Sequence, residues 1–275
     1  MSIQLHKLHV LALLVSSSAV CSVPLRADTP PLEIFAVSDA VRVFEDGYGL
    51  TNCNPQKAVN VFGLRNETIS AQCVVRAGRD LPDLSVSISP LTREGGGSIP
   101  PDHVTWTFVT GINVLTNTPK LRKEDLTRPA PARFPDCLSE DRQCAVTKGN
   151  LKAVYLTVGI PAGAEPGEYR GTVSAKAGGD SVSLPVTLNV YPLTLPDTRH
   201  VKVTEWFSTG KFKKFHGVDS DQSDRYWQIL RAYAKNMAEH RQNMFEVSLG
   251  LIKSTMAADG KLRFDFSDFD RFAQV

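Results

Sequence analysis

The feature that most constrains this chain is a change of period between residues 186 and 207. Up to Val190 the apolar residues recur every second position in short runs separated by turns. Beyond Val201 the order becomes extended run, long 3.6-period run, extended run, and the start of a further helical run. Between them lies Tyr191-Pro192-Leu193-Thr194-Leu195-Pro196-Asp197. Its two prolines cannot donate to a sheet, and each biases the residue before it toward extended backbone. The chain therefore reads as an all-β domain joined by a stiff connector to the opening of an α/β domain.

In the first part, residues 32–37, 40–44, 58–62, 68–77, 84–89, 104–109, 112–115, 152–160, 168–175 and 181–191 are strand-like. The best of them is 68–77. Ile69, Ala71, Cys73 and Val75 share one face, and Thr68, Ser70, Gln72 and Arg76 fall largely on the other. Gly178-Gly179-Asp180 predicts a hairpin between the last two runs. About eight or nine short strands with turn signals between them predict a two-sheet antiparallel sandwich. Residues 116–149 break the pattern with Pro119, Pro129, Pro131 and Pro135, and read as one long loop.

In the second part, 201–207 and 244–249 read as strands. Residues 224–241 read as a helix with Tyr226, Ile229, Leu230, Tyr233 and Met237 on one stripe, and Ser223 is its N-cap. A further helix begins at 268–275. Strand, helix, strand, helix requires a parallel sheet with helical crossovers. A (β/α)₈ barrel needs about 250 residues, at roughly 30 per unit, so 200–275 supplies about two and a half units. The expectation is a multidomain, mainly β chain: an antiparallel β-sandwich followed by the opening βαβ(α) portion of a truncated (β/α)₈ barrel. The boundaries are 1–27 leader, 28–192 sandwich, 193–199 linker and 200–275 incomplete barrel. A competing reading is a non-catalytic carbohydrate-binding or structural sandwich with a short α/β tail.

The leader rests on Lys7, the apolar run 9–15 and the small residues 16–19, the order of a secretory signal too short to span a bilayer. Cleavage after Cys21 or after Ala27 fits. Val20 disfavours a lipid-modified Cys21, so simple export to a secreted or periplasmic location is expected. Export leaves Cys53, Cys73, Cys137 and Cys144 in an oxidising compartment. Cys137 and Cys144 flank a polar loop and are expected to close it. By elimination Cys53 pairs with Cys73. No Cys/His spacing suits a metal, and no cofactor motif is present.

A net charge of +2 gives no electrostatic case for nucleic acid. Lys211-Phe-Lys-Lys-Phe215 interleaves charge and aromatics but is too short to alter that. Asn66-Glu67-Thr68 fits a glycosylation acceptor in a host that glycosylates. Glu205 and Trp206 end the first extended run of the second part, the face where barrels place their sites. A Trp there stacks on a sugar ring, although core packing competes for it. His216 follows in the next loop as a third candidate ligand contact. Glu246 sits on the second extended run with its direction open. Tyr226, Trp227 and Tyr233 have the spacing of a packing face.

Several of these stretches together resemble the N-terminal sandwich of glycoside hydrolase family 123 and its relatives. They are Arg65-Asn66-Glu67 with the strand ending Val74-Val75-Arg76-Ala77, residues 161–173, residues 193–198 and residues 233–241. The resemblance covers about 33–270. It implies an exported enzyme with a sandwich and a (β/α)₈ barrel that cleaves β-linked N-acetylgalactosamine from glycans. It also implies substrate assistance, in which the sugar's own acetamido group attacks the anomeric carbon, an exception to the two-carboxylate scheme. An adjacent Asp-Glu pair serves that family's chemistry, the Asp orienting the acetamide and the Glu acting as general acid. No Asp-Glu dipeptide occurs in these 275 residues. No catalytic residue carries over, and the chain alone is expected to be inactive.

Overall fold

The alternation that makes half of these residues apolar on one side builds two packed sheets. The computed structural model describes residues 30–50, 53–204, 209, 212–221 and 223–275. The leader, Cys21, Glu205 and Trp206 lie outside the described residues. The first sheet has the spatial order β1 (Leu32–Val37), β3 (Thr68–Ala77), β10 (Leu151–Gly159), β7 (Val104–Val114) and β8 (Ala132–Ser139). The second runs β2 (Val59–Arg65), β12 (Asp180–Thr194), β11 (Gly167–Ala177), β4 (Leu81–Ile88) and β9 (Gln143–Val146). The short β5 (Leu91–Arg93) and β6 (Ser98–Ile99) add to it beside β11.

The pairings that hold each sheet together are antiparallel. β11 and β12 form the expected hairpin, Ala177 opposite Asp180, with Gly178 and Gly179 both at positive φ as a two-residue turn of the right hand requires.

Between the sheets lies one core. Cys73, Val75, Phe108, Val154 and Leu156 meet Leu84, Tyr169, Val173 and Leu188 there. Each large apolar side chain so buried contributes about 1.5–3 kcal/mol. Tyr169 is 1% exposed and donates its hydroxyl to the Glu165 carbonyl at 2.8 Å, so its polar end is satisfied. A second cluster sits on the opposite face of the five-stranded sheet, where Phe35, Val74, Leu151 and Ala153 pack with Val43.

That second cluster corrects two expectations. Residues 40–44 form no strand; Val41 and Val43 are instead packed across the outer face of the sheet. The same cluster shows why Cys53 and Cys73 are unbonded. Cys73 points into the inter-sheet core and Cys53 packs in the outer cluster, so the sheet itself stands between them. Cys137 and Cys144 are also free thiols. Cys137 stands opposite Thr110 in one sheet, while Cys144 stands opposite Leu84 in the other. None of the expected disulfides forms.

The long loop expected at 116–149 is shorter. β8 and β9 both fall inside it, and Pro135 is tolerated because β8 is an edge strand whose register shifts at Thr110/Gly111, opposite that proline.

The chain divides into two compact units, the second running Thr194–Val275. The second unit contains α1 (Phe212–His216), α2 (Asp224–Glu239), β13 (Lys253–Met256), β14 (Leu262–Asp265) and α3 (Ser267–Ala273). α2 begins as expected: Ser223 has extended backbone and its hydroxyl accepts the Tyr226 N–H at 3.2 Å. Phe212, Val218, Tyr226, Trp227, Ile229 and Leu230 make its core.

The runs at 201–207 and 244–249 are not laddered strands where they are described. They do lie side by side. The Val203 carbonyl accepts the N–H groups of Asn243 and Met244, both at 3.1 Å, and the Asn243 side chain donates to the Val201 carbonyl. Contact at one end is too little to define a ladder. The β13–β14 hairpin was not foreseen; its turn holds Gly260 at φ +76.

Candidate functional site

Within the second unit, several segments enclose a cleft of about 390 Å³. The loop before α2 supplies Asp221, and the first turn of α2 supplies Tyr226 and Trp227. The extended run after it supplies Phe245 and Glu246, and α3 supplies Asp268 with Phe272 behind it. The local folding is simple. The Ser223 cap fixes where α2 starts, and Tyr226 and Trp227 then fall on the turn that faces the unit's core.

The carboxylates differ in their surroundings. Asp268 is held by Lys253 at 2.7 Å, and this hydrogen-bonded pairing raises the lysine's pKa. Asp221 lies 3.9 Å from Lys213. Glu246 is exposed and has no cation within ion-pair distance among the described residues. Burial, aided by the Asp221 charge, pushes the Tyr226 hydroxyl above its usual pKa, against a hydrogen bond with Thr209 that lowers it. Trp227 is 5% exposed with the Arg271 guanidinium 4.3 Å over its ring, and its indole Nε1–H is buried without an acceptor.

Of the residues singled out from sequence, Glu205 and Trp206 fall outside the described residues. His216 is half-buried and shares a 2.9 Å hydrogen bond from Nε2 with the Tyr233 hydroxyl, between the rings of Phe212 and Phe215. It is therefore placed against α2 and not among the residues that line the cleft. Glu246, whose direction was open, lines it. Tyr226 and Trp227 do pack in the core as their spacing predicts, and they also form the cleft wall. Asp221, Asp268 and Phe272 were not foreseen as site residues. Asp221 and Asp268 share a signal of position, since each lies at the entry to a helix, whereas Phe272 sits in the last turn of α3 and has none.

Among the described residues no group of three or more His, Cys, Asp or Glu is arranged to hold a metal ion. The cleft offers instead aromatic and polar side chains in comparable measure.

Residues 48–177 match the family model described as the glycoside hydrolase 123 N-terminal domain. Over those residues the chain is similar to the N-terminal domain of glycoside hydrolase family 123. The structure of a family 123 glycoside hydrolase from Clostridium perfringens, solved to explain glycolipid glycan hydrolysis, has the same fold at TM-score 0.69 and 16% identity. The match covers 88% of this chain and 44% of that one, so this chain spans less than half of its length. A share of 88% also exceeds the sandwich alone, so the likeness reaches into the second unit. AvmM, which catalyses macrocyclization in alchivemycin A biosynthesis, matches at TM-score 0.30 and 9% identity over 49% of this chain and 87% of its own. The N-terminal domain of PorA matches at TM-score 0.28 and 9% identity over 58% of this chain and 99% of its own. Neither of these carries an argument. No curated protein matches the sequence.

Proposed function

We propose that this chain forms the N-terminal sandwich and the first βαβ portion of the (β/α)₈ barrel of an exported glycoside hydrolase that removes β-linked N-acetylhexosamine, N-acetylgalactosamine above all, by substrate assistance. One observation carries the reading: the likeness in fold to a family 123 glycoside hydrolase continues past the sandwich into the second unit. The side-by-side runs at Val203 and Asn243, bridged by α2, are what an opening parallel crossover supplies. The leader at 1–27 supports export to the periplasm or beyond. No helix among the described residues is long and apolar enough to cross a membrane, which says nothing of strands.

The chain's own share of the chemistry is structural and ligand-binding. It lacks the Asp-Glu pair that would orient the acetamide and protonate the leaving group, so residues 1–275 alone turn nothing over. Two measurements test the reading. Purified 1–275 should release no aryl group from an aryl N-acetyl-β-galactosaminide, and hydrolysis above a heat-killed control contradicts the incomplete-barrel account. Protein purified from its own host should release N-acetylgalactosamine with the anomeric configuration retained. Failure to cleave any N-acetylhexosaminide overturns the hydrolase reading.

A further inference from the structure

We infer that Asn243 is a positioning residue: its side-chain amide stands in for the backbone of a parallel strand and fixes the level at which Glu246 and Ser248 stand in the cleft. The reaction it serves rests on the hydrolase reading above; the clamp itself does not.

The clamp has the bonding pattern of a parallel ladder. In such a ladder one residue's C=O accepts from, and its N–H donates to, the two residues that flank its partner across the gap. Here Asn243 Oδ1 accepts the Val203 N–H at 2.8 Å and Nδ2 donates to the Val201 carbonyl at 2.9 Å. The amide thus brackets Lys202 as a strand peptide would. The backbone adds the N–H groups of Asn243 and Met244, which converge on the one Val203 carbonyl. Two arginines lead the chain into this arrangement. Arg241, at φ +68, turns it out of α2 and donates to the Pro196 carbonyl at 2.8 Å, and Arg199 donates to the Gln242 carbonyl at 3.3 Å.

Downstream of Asn243 burial alternates: Phe245 and Val247 are half-buried, Glu246 and Ser248 exposed. Phe245 and Val247 line an apolar pocket of about 280 Å³ with Leu230, Ala234 and Phe272 of the flanking helices. Glu246 and Ser248 line the cleft and not that pocket. A slip of one residue would exchange the two faces, and burial of Phe245 and Val247 opposes it. Burial does not oppose a slide of two residues, about 6.5 Å, which keeps every side chain on its own face. The Asn243 amide does, because it bonds to both sides of Lys202 at once.

The test has two arms. In the full 1–275 chain, amide exchange followed by NMR should show the Val203 N–H protected. Asn243→Ala should speed its exchange roughly tenfold through loss of the bond that covers it. Asn243→Asp keeps the acceptor and loses the donor, so Val203 should stay protected. Asn243 is exposed, so neither substitution opens a cavity. Unchanged exchange at Val203 in Asn243→Ala overturns the clamp. In the second arm the protein is purified from its own host and assayed on an aryl N-acetyl-β-galactosaminide, well below its unfolding midpoint. Asn243→Ala should lower kcat roughly threefold to tenfold. The folded fraction by circular dichroism should be unchanged, and Asn243→Asp should recover part of the loss. Parental kcat in Asn243→Ala overturns the positioning role, since a residue that only adds stability leaves the folded enzyme's turnover intact. If the parent cleaves no N-acetylhexosaminide, the hydrolase reading fails and the positioning role with it, while exchange at Val203 still decides the clamp.

Discussion

Arg128 reaches back across 82 residues to close a two-pronged ion pair on Asp46, its Nη1 2.8 Å from Oδ1. The same guanidinium lies 4.9 Å over the Phe44 ring and 4.6 Å over the Tyr48 ring. One side chain thus ties the proline-rich segment before β8 to the segment between β1 and β2. Phe44 in turn packs edge-on against Phe134 of β8. Arg128→Ala should therefore loosen the long segment without unfolding the sheets. The cost is about 1 kcal/mol, because two cation–π contacts and a partly exposed ion pair are each worth a fraction of that or little more. Limited proteolysis should cut the variant between residues 115 and 131 faster than the parent, and Arg128→Lys should rescue it only in part, since a lysine cannot make the forked pair.

The same pair sets a pH dependence. The hydrogen bond from Arg128 holds the Asp46 carboxyl below its ordinary pKa and raises that of the guanidinium. A carboxylate with a depressed folded pKa contributes stability that is present above its unfolded value, about 3.9, and lost as pH falls through the folded value. Asp46 is half exposed, so the contribution is small. Protease sensitivity of the 115–131 segment should be flat from pH 8 to pH 5 and rise below about pH 4. In Asp46→Asn it should be high throughout, with the rise abolished. A parent profile that stays flat to pH 2 would remove this pair as the cause.

Tyr169 supplies a sharper test of the core. Its hydroxyl is the polar end of a fully buried ring and donates to the Glu165 carbonyl four residues upstream. Tyr169→Phe keeps the packing and leaves that carbonyl without its donor. The expected loss is about 1–2 kcal/mol of sandwich stability, read as a lower denaturant midpoint at unchanged slope. Tyr169→Ala should cost about 3–5 kcal/mol through the cavity it leaves.

How much of this was legible in the sequence follows from what each segment depends on. β3 could be read from its own alternation because its core face, Ile69 through Val75, is set locally. What could not be read was the burial of its other face. Gln72 reads as polar and exposed, yet it is 4% exposed, its side-chain amide donating to the carbonyls of Ser38 and Val41. That depends on the segment after β1 folding over the sheet, a tertiary event with no local signal. β8 was hidden by Pro135 and the prolines before it; Pro135 sits in an edge strand, where a residue without an N–H is tolerated. In the second unit the helix and its cap were plain, whereas 201–204 and 244–249 have extended character without ladders, since strand pairing depends on neighbours the run itself does not encode. The cleft was least legible: Glu246, Asp221 and Asp268 come from separate segments that meet only after α2 has packed.

The thiols provide the last prediction. With a leaderless chain starting at residue 28, four cysteines remain, and all four are free in the structure. They should react in an order set by exposure and ionisation, because the thiolate is the reacting species. Cys137 is exposed on an edge strand and should react with a chromogenic disulfide reagent at once at pH 8. Cys144 is partly buried, which pushes its thiol up, and should lag. Cys73 is wholly buried in the inter-sheet core, and that burial pushes its pKa up to about 12. It should stay silent until the sandwich unfolds, so its labelling rate reports global opening. In denaturant without reductant the count should reach four. A count of two would mean that one pair is bonded, and peptide mapping would tell Cys137 with Cys144 from Cys53 with Cys73. A count of zero would require Cys53 and Cys73 to meet through a sheet, and the register of β3 would then have to be wrong by one residue, because only that shift turns Cys73 to the face where Cys53 lies.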